Sequence, residues 1–284
     1  MREALNAATD ALRAAGIEDP RLDAELLLAE AVGWDRARLV AEPEAEVPPA
    51  AARRFGEMVR RRLRREPVAY ILGRRGFRRI ELAVDPRVLI PRPETELLVE
   101  LALELRPARL LDIGTGSGAI ALAVADELPE CEVVASDTSP PALEVARANA
   151  NRLGLAERVS FHQGTLPPGD APFDLVLANL PYVSEAEWSG LEPEVTEWEP
   201  REALLAGPDG LDAIRSFLSD RVRLSFRIAE RKAKSASGCV ALEVGAGQAE
   251  AVADLMRKAG FSAIETRRDL AGIERVVMGR QAIR

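Results

Sequence analysis

Residues 179–182, Asn-Leu-Pro-Tyr, carry the groups that a planar nitrogen centre needs. The Asn179 side-chain carbonyl accepts an N–H from an amide or an exocyclic amine, and the backbone carbonyl of Leu180 accepts a second. The Tyr182 ring offers a flat face for the planar group. Holding both hydrogens turns the nitrogen lone pair outward. Alignment is then the main demand, and near-attack positioning supplies up to roughly 7–11 kcal/mol. A second constellation lies upstream. An apolar run over 110–113 stops at Gly114-Thr115-Gly116-Ser117-Gly118, and a helical pattern over 119–128 starts at once. Such a strand–turn–helix junction lets a ligand approach the backbone closely. Asp137 ends the next apolar run, where a carboxylate can accept both hydroxyls of a ribose.

The glycines alternate, unlike the Gly-x-Gly-x-x-Gly dinucleotide spacing, and no Lys-Ser/Thr pair follows them, which excludes a P-loop. NAD is the competing ligand. A glycine turn with a strand-end acid and no phosphate machinery resembles the class I S-adenosylmethionine methyltransferases. A sulfonium methyl is already activated, so such a reaction requires no strong base. The 179–182 motif resembles the Asn-Pro-Pro-Tyr signature of amino-methyltransferases. Leu180 replaces the second-position proline; the backbone carbonyl survives that change and the locked φ does not.

These groups need elements to hold them. Residues 1–72 read as helical, with Leu5, Ala8, Leu12 and Ala15, then Leu22, Leu26, Leu27 and Ala31, at helical spacing. A further helix over 50–65 places Phe55, Met58, Val59 and Leu63 inward. Residues 73–90 read as a β-hairpin that includes 88–90. Residues 91–96, Pro-Arg-Pro-Glu-Thr-Glu, form a stiff segment leading into an apolar helix over 97–105. Strands over 131–136, 159–162, 173–178, 239–244, 262–266 and 275–278 alternate with helices over 140–153, 211–234 and 248–259. Regular alternation predicts a mostly parallel sheet covered on both faces. Both chemical motifs then fall at C-terminal strand ends, facing one cleft.

Residues 66–73 (Glu-Pro-Val-Ala-Tyr-Ile-Leu-Gly), Phe77 and 88–96, together with 179–182, resemble the HemK/PrmC family. Asp209-Gly210-Leu211-Asp212 and Leu242-Glu243-Val244-Gly245 fit it as well. The resemblance implies a class I, Rossmann-like α/β methyltransferase sheet, mostly parallel with an antiparallel C-terminal strand, plus a small N-terminal helical bundle. It implies a helical substrate-docking domain over 1–72, a β-hairpin linker over 73–92 and an S-adenosylmethionine-dependent domain over 93–284. The implied activity is methylation of the glutamine N5 in the Gly-Gly-Gln motif of peptide chain release factors. Carried over by position, Gly114, Thr115, Gly116, Ser117 and Gly118 hold the methionine part of S-adenosyl-L-methionine, and Asp137 holds its ribose. Leu166 gives weak adenine packing, and Asn179 reaches the cofactor too. Asn179, Leu180, Pro181 and Tyr182 hold the glutamine, with Asn179, Pro181 and Tyr182 as the catalytic set. Arg92, Pro93 and Glu94 line the site. The Arg/Lys/Ser-rich stretch over 218–237 departs from relatives.

Bulk properties narrow the classes. The 284 residues carry a net charge of −8, which opposes generic nucleic-acid binding. Nine arginines between 60 and 79 form a basic block. It reads either as solvated helix ends or as a contact surface for an acidic or RNA-associated partner. No run is long and apolar enough for a membrane span, and the start carries acids early, so a cytoplasmic protein is expected. Cys131 and Cys239 read as buried small hydrophobes, with a disulfide or metal pair as the alternative. The single histidine, His162, makes a histidine metal site unexpected; it reads as a surface or satisfied residue. Trp188 and Trp198 read as lid packing or as contacts to the release factor. A monomer is expected by default. Two other functions compete: an adenine-N6 nucleic-acid methyltransferase, which needs a basic channel and a flipped-base pocket, and a non-catalytic cofactor-binding interaction module.

Overall fold

The computed structural model describes residues 1–168, 173–219 and 238–281. The chain divides into two compact units: Met1–Arg74 with Glu192–Trp198, and Arg75–Leu191 with Glu199–Arg284.

The first unit is helical: α1 (Arg2–Ala14), α2 (Pro20–Val32), α3 (Arg36–Ala41), α4 (Pro49–Leu63) and α5 (Val68–Leu72). Leu5, Leu12, Leu27, Leu28, Phe55 and Met58 form its core. Two positions depart from the periodic reading. Leu22 and Leu63 are exposed, and the buried stripe of α2 runs through Ala24, Leu27 and Leu28. In α4 the neighbouring Arg62 is buried instead, held by Asp23 and Glu194, each at 2.6 Å. Such a charge is tolerated inside only because it is paired. Arg65 bonds Glu194 at 2.6 Å and also pairs with Glu192. The 192–198 segment is thereby fastened to the helices. Much of the basic block is consumed in this way, since Arg61 bonds Glu66 at 2.8 Å and Arg74 bonds Glu30 at 2.6 Å. These pairings favour the structural reading of the block over an open contact surface.

The second unit opens with a two-stranded hairpin, β1 (Arg74–Phe77) and β2 (Ile80–Ala83). The expected third run at 88–90 is not a strand. Val88 closes a turn on the Asp85 carbonyl, and the Ile90 N–H donates to the buried Glu199 carboxylate at 2.9 Å. A short 3₁₀ turn (Pro93–Thr95) then leads into α6 (Glu96–Leu105). There follow β3 (Arg109–Ile113), α7 (Ala119–Glu127), β4 (Glu132–Asp137), α8 (Pro140–Arg152), β5 (Val159–Gln163), β6 (Leu175–Ala178) and α9 (Glu185–Trp188). A single turn, α10 (Pro193–Thr196), lies in the segment that packs with the helical unit. The chain ends with α11 (Asp212–Ser219), β7 (Cys239–Glu243), α12 (Ala249–Lys258), β8 (Phe261–Arg268) and β9 (Glu274–Gln281). The expected helix and Arg/Lys/Ser-rich stretch beyond Ser219 lie outside the described residues up to 237.

The seven strands pair in the order β5-β4-β3-β6-β7-β9-β8. Pairing is parallel from β5 to β7 and antiparallel on both sides of β9. The strands β6 and β7 are buried throughout, which explains their continuous apolar runs. The core gathers Leu111, Val176, Val240, Leu242, Phe217 and Met256. Strand order reverses between β3 and β6, so a crevice opens at their C-terminal ends.

Candidate active site

Gly114 follows β3 and Asn179 follows β6, so the crevice receives both motifs. Gly114 has φ +73°, and a Cβ there would lie 3.4 Å from the Asn179 carbonyl oxygen. The positive φ strains any residue with a side chain, which is why glycine suits this turn. The Gly114 and Thr115 amides donate to the Ser136 carbonyl at 2.9 and 3.0 Å, which folds the turn back over β4. Beneath it Asp112 is wholly buried. One of its oxygens accepts from the Thr115 hydroxyl at 2.6 Å and the Ala121 N–H at 3.2 Å, and the other has no partner. Burial, against those two hydrogen bonds, pushes its carboxyl up to about 7.

Asp137 is pinned on the opposite wall. Its two oxygens accept from the Gly116 N–H and the Ser139 N–H, each at 2.9 Å. A carboxylate oxygen has further lone pairs, so both remain able to accept from a ligand diol. The cleft is walled by Gly114, Gly116, Asp137, Thr165, Asn179 and Leu180, with apolar Val88, Leu89, Ile113 and Ala142 completing it. Carboxylates at Asp137 and Glu202 in this wall suit a neutral diol or a cation, and Arg87, which also lines it, pairs with Asp85 and Glu144 at 2.7 and 3.1 Å. The lining residues fit an adenosyl sulfonium.

A second, smaller cavity shares Gly114, Gly116 and Asn179 and adds Arg92, Thr95, Thr115 and Ser117. The Asn179 side-chain NH₂ donates to the buried Thr95 hydroxyl at 3.1 Å. The Tyr182 hydroxyl donates to Glu243 Oε1 at 3.3 Å. Glu243 is about 1% exposed and leaves Oε2 without a partner. Its carboxyl is pushed up to about 7, chiefly by burial, and burial followed by the Glu243 charge raises the Tyr182 phenol. Gln248 holds the Tyr182 carbonyl at 2.9 Å.

The expected residues fall into groups. Gly114, Gly116, Asp137, Asn179, Leu180 and Pro181 share the main cleft. Arg92, Thr115 and Ser117 line the smaller one. Arg92 is not an open cation, since it pairs with buried Glu199. Gly118 reaches neither wall; a Cβ there would meet Leu122 at 2.8 Å, so it serves the packing of α7. Leu166 is corrected: Ser136 holds the Thr165 carbonyl at 2.9 Å, Thr165 forms the wall, and Leu166 turns into the apolar core. Pro93 and Glu94 are also outside both walls, and Thr95 takes the place expected of them. Tyr182 lies outside the main cleft and lines an adjacent groove with Arg275, because its hydroxyl is drawn to Glu243. Trp188 packs under the Arg201 guanidinium, 5.1 Å from its ring centroid. Both cysteines are buried free thiols, which overturns a disulfide.

Three further residues carry the site without having been expected there. Glu199 fastens Ile90 and Arg92. Asn149 on α8 accepts the Ala83 N–H at 2.7 Å and donates to the Ser117 carbonyl at 2.9 Å, tying hairpin to glycine turn. Glu243 accepts from the Tyr182 hydroxyl. Its sequence motif was visible, but nothing in that motif points to this partner.

Comparison with known proteins agrees with this architecture. The family model of the PrmC N-terminal domain matches residues 3–73, and that of a methyltransferase domain matches 110–198. A release factor glutamine methyltransferase of Geobacter sulfurreducens is 42% identical over 93% of this chain and 91% of its own length. One from Moorella thermoacetica is 44% identical over 92% of this chain and 90% of its own. Among solved structures the hMettl16 catalytic domain superposes with a TM-score of 0.56 at 14% identity, covering 71% of this chain and 76% of that one, a likeness of fold. The chain belongs to the release factor glutamine methyltransferase family.

Proposed function

We propose that this chain methylates the side-chain amide nitrogen of a glutamine in peptide chain release factors, at the Gly-Gly-Gln motif, using S-adenosyl-L-methionine. The observation that carries the reading is the contact between the two motifs: the Asn179 backbone lies against Gly114, in a cleft that also holds Asp137. When bound, the cofactor supplies an activated methyl group. Asp137 accepts the ribose hydroxyls, and the Gly114–Gly116 backbone lets the ligand close on the sheet end. Asn179 Oδ1 and the Leu180 carbonyl accept the two amide hydrogens of the glutamine and orient its nitrogen. The amide proton lost on methylation leaves to solvent. The helical unit, matched by the PrmC N-terminal domain, serves as the docking domain for the release factor.

Incubation with methyl-labelled cofactor and either a full-length release factor or duplex DNA tests the reading. Label on the release factor supports it. Label on DNA alone points to an adenine-N6 enzyme, and cofactor binding without transfer points to an interaction module; either result rejects it.

A further inference from the structure

The acceptor turn is stiff in its middle and depends on its ends. Pro181 fixes its own φ and confines Leu180 to extended backbone. At the first end the Asn179 backbone lies against Gly114. At the second, the Tyr182 carbonyl accepts from Gln248 Nε2 at 2.9 Å. The other end of the same amide, Gln248 Oε1, accepts from the Gly245 N–H at 2.9 Å. One partner is a carbonyl, which only accepts, and the other an N–H, which only donates, so a single orientation of the amide serves both. Gln248 directly precedes α12, yet its side chain makes no capping bond to that helix. Two glycines close on the bridge. A Cβ at Gly210 would collide with the Tyr182 carbonyl oxygen and lie 2.8 Å from Gln248 Nε2, and one at Gly245 would lie 2.9 Å from Gln248 Oε1 and 3.2 Å from Tyr182 Cδ2. These glycines belong to the 209–212 and 242–245 motifs, to which the two cleft walls assign nothing. The ring tip is held from the same strand end, where Glu243 accepts the Tyr182 hydroxyl at 3.3 Å.

We propose that Gln248 is a positioning residue for substrate recognition: by bridging the Gly245 N–H and the Tyr182 carbonyl it fixes the far end of the 179–182 turn and so aims the Leu180 carbonyl at the substrate amide. That Leu180 receives the amide rests on the function proposed above; the bridge itself does not. The bridge carries more weight in this chain because Leu180 has no ring to lock its φ. With the Tyr182 carbonyl released, the turn keeps its anchor at Gly114 and loses the other, and the Leu180 carbonyl between them is free to swing. A swinging acceptor aligns the substrate nitrogen less often, so the loss falls on kcat. The competing role is structural: Gln248 would serve only the turn between β7 and α12, through Gly245. One substitution separates the two. Gln248→Glu keeps an acceptor for Gly245 and adds an acid at a helix N-terminus, where it is favourable, but it sets an oxygen against the Tyr182 carbonyl.

Two measurements test this. The first needs no substrate. Residues 182–183 are the only Tyr-Val pair in the chain, so protein labelled with ¹³C at the tyrosine carbonyls and ¹⁵N in valine gives a single carbonyl–amide correlation, that of Tyr182. The inference expects the carbonyl resonance to move upfield in both Gln248→Glu and Gln248→Met, as a carbonyl does on losing a hydrogen bond. A signal unmoved in either variant overturns it. The second measurement is methyl transfer to a release factor. Gln248→Glu is expected to lose kcat by about tenfold or more, with cofactor Kd within about twofold and the urea midpoint kept. Gln248→Met, which keeps the volume and loses both bonds, carries the same expectation for kcat should Gln248→Glu fail to fold. Wild-type kcat in the folded variant overturns the inference, and so does a loss of kcat no larger than the unfolded fraction explains. A wild type that transfers no methyl group to the release factor rejects the proposed function instead, and the carbonyl signal still decides the bridge.

Discussion

At the residue scale, the division of labour across the cleft makes opposite predictions for its two walls. Asn179→Ala removes the amide acceptor but no part of the Asp137 wall. Transfer should fall about a hundredfold or more, with cofactor Kd changed by less than about threefold. Asp137→Ala should weaken cofactor binding about tenfold or more, the scale of lost hydrogen bonds to a charged group. Calorimetric titration beside a transfer assay separates the two. The buried acids give a pH signature as well. Glu243 and Asp112 are each pushed up to about 7, first of all by burial. A folded value above the unfolded one means that the folded chain keeps the extra proton. Their contribution to stability is therefore most favourable in acid, declines as pH rises from about 4 to about 7, and is fully lost above that. Glu243→Gln and Asp112→Asn should each flatten this decline, read from urea midpoints at about pH 5 and about pH 8.

At the scale of elements, the glycine turn is held from outside by a side chain of α8, the helix after β4. Asn149 on α8 is fully buried and bridges Ala83 of β2 and the Ser117 carbonyl. Asn149→Ala strands those buried backbone groups and should cost about 2–3 kcal/mol in urea unfolding. A loss under about 0.5 kcal/mol would show that the bridge is not needed. This bridge also shows what a sequence does and does not disclose. The β3–turn–α7 junction, Asp137 at the end of β4 and Asn179 after β6 were legible, because each lies within a local pattern of apolar run, turn and helix start. The sheet with its one reversed C-terminal strand was legible from the alternation of elements. Thr95, Asn149 and Glu243 were not assigned roles, since each acts on a group 61 to 84 residues away. Only the folded chain brings those pairs together. Leu166 failed for a related reason: a one-residue change of phase after β5 decides which side chain meets the cleft. Leu63 failed beside a paired arginine: its neighbour Arg62 is buried where periodicity reserves space for apolar residues.

At the scale of the molecule, the chain does not follow its domains in simple succession. Residues Glu192–Trp198 leave the methyltransferase unit and pack with the N-terminal helices, where Glu194 meets Arg62 and Arg65. That segment begins ten residues after Tyr182, and Glu199, which carries Arg92 and Ile90, follows directly upon it. Glu194→Ala leaves Arg62 with the Asp23 carboxylate and the Glu66 carbonyl and should cost about 1–3 kcal/mol, with faster proteolysis across 190–199. Protection unchanged from the wild type would show that the pairing does not hold the segment.

The position of the transferred methyl group decides the chemistry. A release factor incubated with the cofactor and this protein is digested, and the peptide carrying Gly-Gly-Gln is sequenced by mass spectrometry. The predicted result is a single added methyl on the glutamine side chain, present with the wild type and missing with Asn179→Ala. A methyl on any other residue, or an unmodified glutamine from a wild-type protein that binds the cofactor, would contradict it.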